Sequence, residues 1–184
     1  KGRKTNTAGM IPNRVFIDQR PEIIKGRKQL GHWETDLMEG PRKTQAHVSV
    51  LVERKTRLVQ LLKVSSKQGR EKRQGIVRKL WPLPEDSVRS ITFDNGKENC
   101  EHQLVARTLK CQTYFCQPYH SWEKGTVENT IGLVRQYLPK KMNLESVTQG
   151  ELDWIASQLN NRPRKVLGYQ TPSEVFYQET NWGI

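Results

Sequence analysis

The chain has 184 residues, which is enough for one domain of ordinary size with a buried core. Its 31 Lys and Arg against 19 Asp and Glu give a formal charge of +12, which indicates a polyanionic partner without separating DNA from RNA or an anionic membrane surface. No apolar run is long enough to span a bilayer, and three cysteines without paired spacing argue against a disulfide framework, so we expect a soluble cytoplasmic protein.

Residues 1–30 form a basic segment ahead of the rest of the chain. They hold eight basic residues against two acidic ones, a local charge of +6, and are interrupted by glycine and proline. A short apolar patch, Val15-Phe16-Ile17, predicts one anchored piece. We therefore predict a linker or arm over 1–30 and a domain over 31–184, although a solubilising, flexible arm is an alternative. Because the chain begins at Lys1 rather than Met, we expect it to be a fragment that follows an N-terminal segment.

The predicted elements of the remaining chain come in a mixed order. Three strand-like runs joined by short polar turns predict antiparallel pairing, at 32–39, 45–53 and 57–64. A helix, a strand, a helix and a strand follow, at 67–81, 88–94, 98–109 and 113–116. Three helices complete the chain, at 121–138 with Ser121 as its cap, at 148–160 and at 172–177. This order predicts an α/β fold whose mixed five-stranded sheet has three antiparallel strands, then two parallel ones, with helices on both faces.

Three acids fall on elements that can converge at one edge of such a sheet. Asp94 ends the run Ile91-Thr92-Phe93, Asp36 lies in the first strand, and Glu128 lies in a helix with 33 residues between it and Asp94. Ligands of open α/β sheets bind at the carboxyl ends of strands. Phosphodiester chemistry needs charge stabilisation on the entering and leaving oxygens, which two hard cations held by carboxylates supply. We therefore predict that Asp36, Asp94 and Glu128 are catalytic residues and metal ligands.

Each acid also has a purely structural explanation. Asp36 fits the outward residue of an alternating strand, Asp94 fits a turn former before Asn95-Gly96, and Glu128 fits a helical pair with Lys124. Their joint placement on this strand order favours the metal site. No phosphate-binding glycine loop or dinucleotide fingerprint competes with it, and nothing resembling a serine or cysteine triad surrounds His120.

The cysteines offer a second metal hypothesis. Cys100, Cys111 and Cys116 lie near His102 in the sequence. Their spacing matches no standard zinc pattern, and the segment is typical of a helix followed by a strand. We therefore predict no zinc site there.

Five sequence blocks, in order, carry a resemblance to a known family. The blocks are Gly31–Leu37 (GHWETDL), Val52–Arg57 (VERKTR), Thr92–Glu98 (TFDNGKE), Pro118–Asn129 (PYHSWEKGTVEN) and Asn160–Gly168 (NNRPRKVLG). Together they closely resemble the bacterial insertion-sequence transposases of the insertion sequence thirty family. That family belongs to the wider group with a ribonuclease-H-like, retroviral-integrase-like catalytic core. The resemblance covers about residues 12–177.

The resemblance implies a fold, an activity and partners. It implies a ribonuclease-H-like fold and places the family's Asp-Asp-Glu triad on Asp36, Asp94 and Glu128. The implied enzyme is a DDE transposase that uses Mg²⁺ or Mn²⁺, with two ions, to nick transposon ends and to join the 3′-hydroxyl to target DNA. Its implied partners are the double-stranded DNA of terminal inverted repeats and targets, bound by a homodimer or larger assembly at the bacterial nucleoid. Family members carry a helix-turn-helix segment ahead of the core.

Residues around the triad are predicted to contact DNA. Lys and Arg would hold phosphates, and Trp122 would stack on a base, although a core residue at a helix start is as good an explanation of Trp122. The predicted contacts are Asn95, Lys97, His120, Trp122, Lys124, Asn129, Arg135, Lys140 and Lys141. Two other functions stay open: a nuclease of the same fold that cuts without joining, and a transposase-derived DNA-binding regulator.

Overall fold

The computed structural model describes residues 11–41, 44–66, 68–118 and 120–181. Its strands are β1 (His32–Glu39), β2 (His47–Glu53), β3 (Val59–Val64), β4 (Ser90–Phe93) and β5 (Gln112–Phe115). Its α-helices are α1 (Glu22–Lys25), α2 (Gly69–Leu80), α3 (His102–Leu109), α4 (Gly125–Val134), α5 (Gln149–Asn160) and α6 (Pro172–Thr180). No helix in these ranges is long and apolar enough to cross a membrane.

The five strands form one mixed sheet in the order β3-β2-β1-β4-β5. β1 pairs antiparallel with β2, and β2 pairs antiparallel with β3. On the other side, β1 pairs parallel with β4, and β4 pairs parallel with β5. The predicted mixed five-stranded sheet is therefore confirmed. The change from antiparallel to parallel pairing falls at β1, the strand that carries Asp36.

Apolar side chains are buried on both faces of the sheet, which is why every residue of β2 is buried. On one face, Val50 of β2 packs in a cluster with Val127 and Val134 of α4 and Leu152 of α5. On the other face, the core cluster draws on β1, β3, β4, β5, α2, α3 and α6, and includes Trp33. The helices of these two layers cover both faces of the sheet near the acids of β1 and of the turn after β4.

Helix α4 is shorter than predicted. The predicted helix begins at Ser121 and ends before Pro139, whereas the structure has a 3₁₀ turn over Ser121–Lys124, then α4 over Gly125–Val134. The predicted cap at Ser121 is wrong, because Lys124 is the N-cap residue and makes no side-chain cap hydrogen bond. The apolar spacing suggested a longer helix because Leu138 is also buried, at the far side of a turn.

The described part of the N-terminal segment packs on the edge of the sheet. Phe16 forms a parallel bridge with Phe115 of β5, whose N–H donates to the carbonyl of Val15 at 2.8 Å. Ile17 and Ile24 are buried. The apolar patch of this segment therefore lies against β5, and the division into an arm and a domain at residue 31 stays a prediction.

The three cysteines are free thiols. Burial raises the pKa of Cys111 and of Cys116 to about 12 in each case. Both thiols are consequently protonated near neutral pH.

Candidate active site

Strand pairing places Asp36 beside Asp94. The parallel register of β1 and β4 opposes Glu34 to Thr92. Asp36 follows Glu34 by two residues within β1, and Asp94 follows Thr92 by two residues, directly after the end of β4. Both carboxylates approach the ammonium of Lys124, whose Nζ lies 3.1 Å from Asp36 Oδ2 and 3.9 Å from Asp94 Oδ2. The side chains of Asp36 and Asp94 are 23% and 35% exposed, so solvent reaches the pair.

Lys124 is a buried cation between the two acids. Its side chain is 2% exposed, and its Nζ also donates to the carbonyl oxygen of Thr35 at 3.2 Å. The 3₁₀ turn before α4 points the side chain inward, where it offsets the repulsion between two neighbouring carboxylates.

A second buried lysine reaches the same place from α2. Lys72 is 1% exposed, its Nζ lies 3.8 Å from Glu98 Oε1, and that Nζ has no hydrogen-bond partner among the described residues. Burial lowers the pKa of Lys72, while Asp94 and Glu98 oppose that change. Lys72 is therefore a buried cation in a helix whose sequence is rich in charged residues.

The environment of Asp94 keeps its carboxylate ionised. Burial alone raises the pKa of Asp94, but Lys124 and Lys72, with hydrogen bonds from Gly96 and Asn99, lower it below its ordinary value. Asn99 Nδ2 donates to Asp94 Oδ1 at 2.6 Å, and the N–H of Gly96 donates to the same oxygen at 3.3 Å. Asp94 thus closes its own turn, as the structural explanation predicts, and still presents Oδ2 to Lys124. Its role as a metal ligand stays a prediction.

The turn after Asp94 is tightly filled. A Cβ on Gly96 would lie 2.3 Å from Glu98 Oε1, so the glycine makes room for the Glu98 carboxylate. Asn95 Nδ2 donates to the carbonyl oxygen of Cys116 at 2.8 Å, which fixes the turn to the end of β5. The contact of Asn95 therefore holds the turn that carries Asp94 against the end of β5.

Glu128 lies apart from the two aspartates. It sits in the first turn of α4 and is exposed. Across the described ranges, no group of three or more His, Cys, Asp and Glu side chains lies close enough to hold one ion. Gly125 and Gly132 flank Glu128 on the same helix face, and a Cβ on either would meet nothing within 4 Å. That face is therefore open, and the ligand role of Glu128 stays a prediction.

Glu34 joins the strand of Asp36 to the helix of Glu128. Its buried carboxylate accepts the N–H groups of Thr126 and Val127, at 3.1 and 3.0 Å, and pairs with Arg54 Nε at 2.9 Å. It thereby supplies the helix cap that the sequence assigned to Ser121. Sequence reasoning missed this role, although Glu34 and Arg54 stand in two of the blocks that carry the family resemblance.

The residues predicted to contact DNA divide by exposure. Five are exposed, namely Lys97, His120, Asn129, Lys140 and Lys141. Nδ1 of His120 lies 3.6 Å from Glu123 Oε1. The side chain of Trp122 lies outside the described part of the structure. Exposure leaves these five side chains accessible to a nucleic acid and does not by itself assign contacts.

The other three predicted DNA contacts hold the protein together. Asn95 Oδ1 accepts from Arg14 Nη1 at 2.6 Å, and Lys124 lies between the aspartates. Arg135 Nη2 donates to the carbonyl of Glu39 at 2.6 Å, which ties the end of α4 to the end of β1. Burial also lowers the pKa of Arg135. A sequence cannot separate such internal contacts from DNA contacts, because the same residue types serve both.

A family model of the integrase core domain matches residues 26–121, just over half of the chain. The match contains Asp36 and Asp94 and ends before Glu128. The chain therefore belongs to the integrase core domain family.

Within that family, the chain is similar to transposases of insertion sequences. The chain is 42% identical over 183 residues to the transposase for IS4351 of Bacteroides fragilis, covering 98% of the chain and 55% of that protein. It is 42% identical over 165 residues to the transposase InsI for IS30C of Escherichia coli K12, covering 90% of the chain and 43% of that protein. The predicted kinship with the IS30-family transposases is confirmed, and the chain spans about half the length of these relatives.

Two solved structures share the fold. The catalytic core domain of BIV integrase superposes with a TM-score of 0.60 at 19% identity, covering 82% of this chain and 95% of that one. A chain of the simian T-cell lymphotropic virus intasome superposes with a TM-score of 0.65 at 18% identity, covering 81% of this chain and 55% of that one. The predicted ribonuclease-H-like, integrase-like fold is therefore confirmed.

Proposed function

We propose that this chain is the catalytic core of a DDE transposase, which cleaves DNA at transposon ends and joins the freed 3′-hydroxyl to target DNA. The observation that carries the proposal is the pair Asp36 and Asp94, which face one cation at the edge of an integrase-type sheet. The printed names of the relatives, transposases for insertion sequences, support the same reaction. The formal charge of +12 suits a DNA partner.

The integrase core family generally uses a divalent metal, and the side chains at the sheet edge fit one. Asp36 and Asp94 provide hard oxygen donors that are accessible to solvent, and the ammonium of Lys124 stands where they attract a cation. We propose that both aspartates hold Mg²⁺ or Mn²⁺ and that Glu128 completes a site for two ions. Bound metal would stabilise negative charge on the attacking and leaving oxygens.

The chain's own residues prepare this site. Asn99 and Gly96 orient the Asp94 carboxylate, and Lys124 and Lys72 keep it ionised. Glu34 fixes the start of α4 against β1, so that helix and strand approach the DNA as one unit. Exposed Lys97, Lys140 and Lys141 would hold phosphates of the terminal repeats and the target. Two DNA ends must be brought together, so we propose a dimer or larger assembly on DNA.

Labelled oligonucleotides distinguish a transposase from a nuclease that cuts without joining. Duplexes that end in the element's terminal repeat, incubated with the chain and Mg²⁺ or Mn²⁺, are expected to yield nicked strands and longer, joined strands on a denaturing gel. Omitting the metal is the control and is expected to remove both products. Nicked products without any joined strand would replace the proposal by the nuclease, and the absence of both, with DNA still bound, would favour the regulator.

Replacing Lys124 by Met is expected to strengthen Mn²⁺ binding. The ammonium and the metal compete for the same two carboxylates, and like charges about 4 Å apart repel by roughly 4 kcal/mol at an effective dielectric constant of 20. Screening by solvent reduces this repulsion. Because a tenfold change in a dissociation constant corresponds to only about 1.4 kcal/mol, we expect calorimetry to give a dissociation constant for Mn²⁺ that is at least about tenfold lower. The melting temperature of the variant should also rise more on adding Mn²⁺.

The matched control for this variant is Lys140→Met, at an exposed lysine beyond α4. It should bind Mn²⁺ as the unmodified chain does. Unchanged or weaker Mn²⁺ binding by the folded Lys124→Met protein would show that the two aspartates do not form the metal site.

A further inference from the structure

A basic cavity of about 350 Å³ lies against the side of α4. Three arginines line it, Arg27, Arg57 and Arg164, together with Thr126 and Asn129 of α4. The arginines come from separate parts of the chain: the segment after α1, the turn between β2 and β3, and the loop after α5. No carboxylate stands among the described residues that line the cavity. The described residues that line the cavity therefore carry positive charge with no carboxylate among them.

The contacts of these arginines leave donors available. Arg57 Nη1 donates to Thr126 Oγ1 at 3.1 Å, and Arg164 Nη2 donates to the carbonyl of Leu159 at 3.0 Å. Nε of Arg164 is buried and has no hydrogen-bond partner among the described residues. An unsatisfied buried donor weakens a fold, so it is expected to persist where a ligand or water satisfies it. An anion in the cavity would provide such an acceptor.

Repulsion between the positive charges of the arginines also favours the binding of an anion. Burial lowers the pKa of Arg57, and the charge of Arg27 lowers it further. The charges of Glu34 and Glu53 attract Arg57, but both carboxylates are fully buried and accept hydrogen bonds from other groups. Arg27 and Arg57 also have positive φ angles of 54° and 66°, a conformation that is unfavourable for a side-chain-bearing residue. Such strain recurs where a fold holds a ligand.

The cavity adjoins the helix that carries the third acid of the proposed active site. Thr126 and Asn129, which line the cavity, lie on either side of Glu128 in the sequence. Asn129 is the one predicted DNA contact among the lining residues. A group bound in the cavity would therefore be held by the same turn of helix that presents Glu128.

We propose that this arginine cavity binds a phosphate of the DNA backbone, close to the DNA strand that the proposed active site of Asp36, Asp94 and Glu128 cleaves. The inference rests on the proposed function and extends it to a defined phosphate subsite. Guanidinium groups match phosphate oxygens in geometry and charge, and the threonine hydroxyl and asparagine amide add neutral donors. Contacts of this type fix the position of the duplex and do not read its sequence.

Salt-dependent DNA binding tests the subsite. Anisotropy of a fluorescent duplex would be measured against NaCl concentration for the unmodified chain, Arg27→Gln, and the double variant Arg27→Gln/Arg164→Gln. Losing one phosphate contact lowers the slope of log K against log salt by about 0.9. We expect that reduction for the double variant, with affinity weakened at least about fivefold at physiological salt. The single variant Arg27→Gln should show part of this reduction in slope. Because Arg27 is exposed, the melting temperature of that variant should not fall.

The matched control is Arg78→Gln/Arg107→Gln, which removes the same charge from exposed positions of α2 and α3 that do not line the cavity. An unchanged slope for the cavity variants, or an equal reduction for the control, would overturn the subsite. Either result leaves cleavage and joining by the unmodified chain intact, so it does not touch the proposed function. A chain that binds DNA through these arginines but forms no cleaved product with metal would overturn the proposed function alone.

Discussion

Asp94→Asn is expected to abolish DNA cleavage and joining while leaving the fold intact. The substitution keeps the shape of the side chain but removes the charge that faces Lys124 and the proposed metal. An amide oxygen can still accept from Asn99, so the turn should form. Removing a group that stabilises charge in a transition state typically lowers the reaction rate about 10²- to 10³-fold. Removing a metal ligand should lower the rate by at least the upper figure. Gel assays of labelled terminal-repeat duplexes with Mg²⁺ measure the loss.

The control for this variant is Asp86→Asn. Asp86 is an exposed acid in the 3₁₀ turn at the opposite end of β4, where it pairs with Arg89 at 3.1 Å. Its loss should leave cleavage within about twofold, because exposed pairs contribute only about 0–1 kcal/mol to stability. Cleavage by a folded Asp94→Asn protein at a tenth of the normal rate or more would remove Asp94 from the active site.

Glu34→Ala is expected to destabilise the chain more than any change at the exposed acids. Arg54, 4% exposed, would lose its carboxylate partner, and two N–H groups at the start of α4 would lose their acceptor. Breaking a buried ion pair costs about 3–5 kcal/mol, which in a domain of this size lowers the melting temperature by roughly 6–20 °C. Glu85→Ala, at an exposed acid, should change it by no more than about 2 °C. Calorimetry or circular dichroism measures both.

A milder substitution separates stability from positioning. Glu34→Gln retains an oxygen acceptor for α4 but loses the charge opposite Arg54. A displacement of about 1 Å at a reacting group can cost about 10²-fold, so we expect cleavage to fall at least tenfold at a temperature where the variant is folded. Its Mn²⁺ affinity should fall less than cleavage does, because Asp36 on β1 and Asp94 directly after β4 stay in place and only the contribution of Glu128 changes. Equal losses of metal binding and cleavage would contradict a role of Glu34 in positioning α4.

The sheet and the pairing of its two aspartates could be predicted from the sequence for a physical reason. Runs of β-branched and apolar residues at 45–53 and 88–94 mark buried strands, and short turns with long crossovers leave few ways to connect them. Once β1 and β4 are neighbours in parallel, Asp36 and Asp94 must approach each other. The family resemblance identified Asp36, Asp94 and Glu128 as a triad. In the described part of the structure, Glu128 does not lie close enough to the two aspartates to share one ion with them.

The environment of the acids could not be predicted, because it depends on contacts between distant parts of the chain. Lys72 and Lys124 stand in segments rich in charged residues, yet both are buried against carboxylates. The cap of α4 comes from Glu34, 92 residues from Thr126 in the sequence, and no local pattern encodes it. The arginine cavity likewise combines three segments that are unrelated in sequence.

The bridge between Phe16 and Phe115 bears on how this domain can be handled in the laboratory. β5 is the last strand of the sheet, and its outer edge would otherwise offer unpaired N–H and carbonyl groups to other molecules. Residues 15–17 cover part of that edge, and the carbonyl oxygen of Pro12 forms a hydrogen bond with Nε2 of His102. Any shorter version of the protein should therefore begin before residue 11, since a boundary drawn at the first strand would uncover a surface prone to self-association.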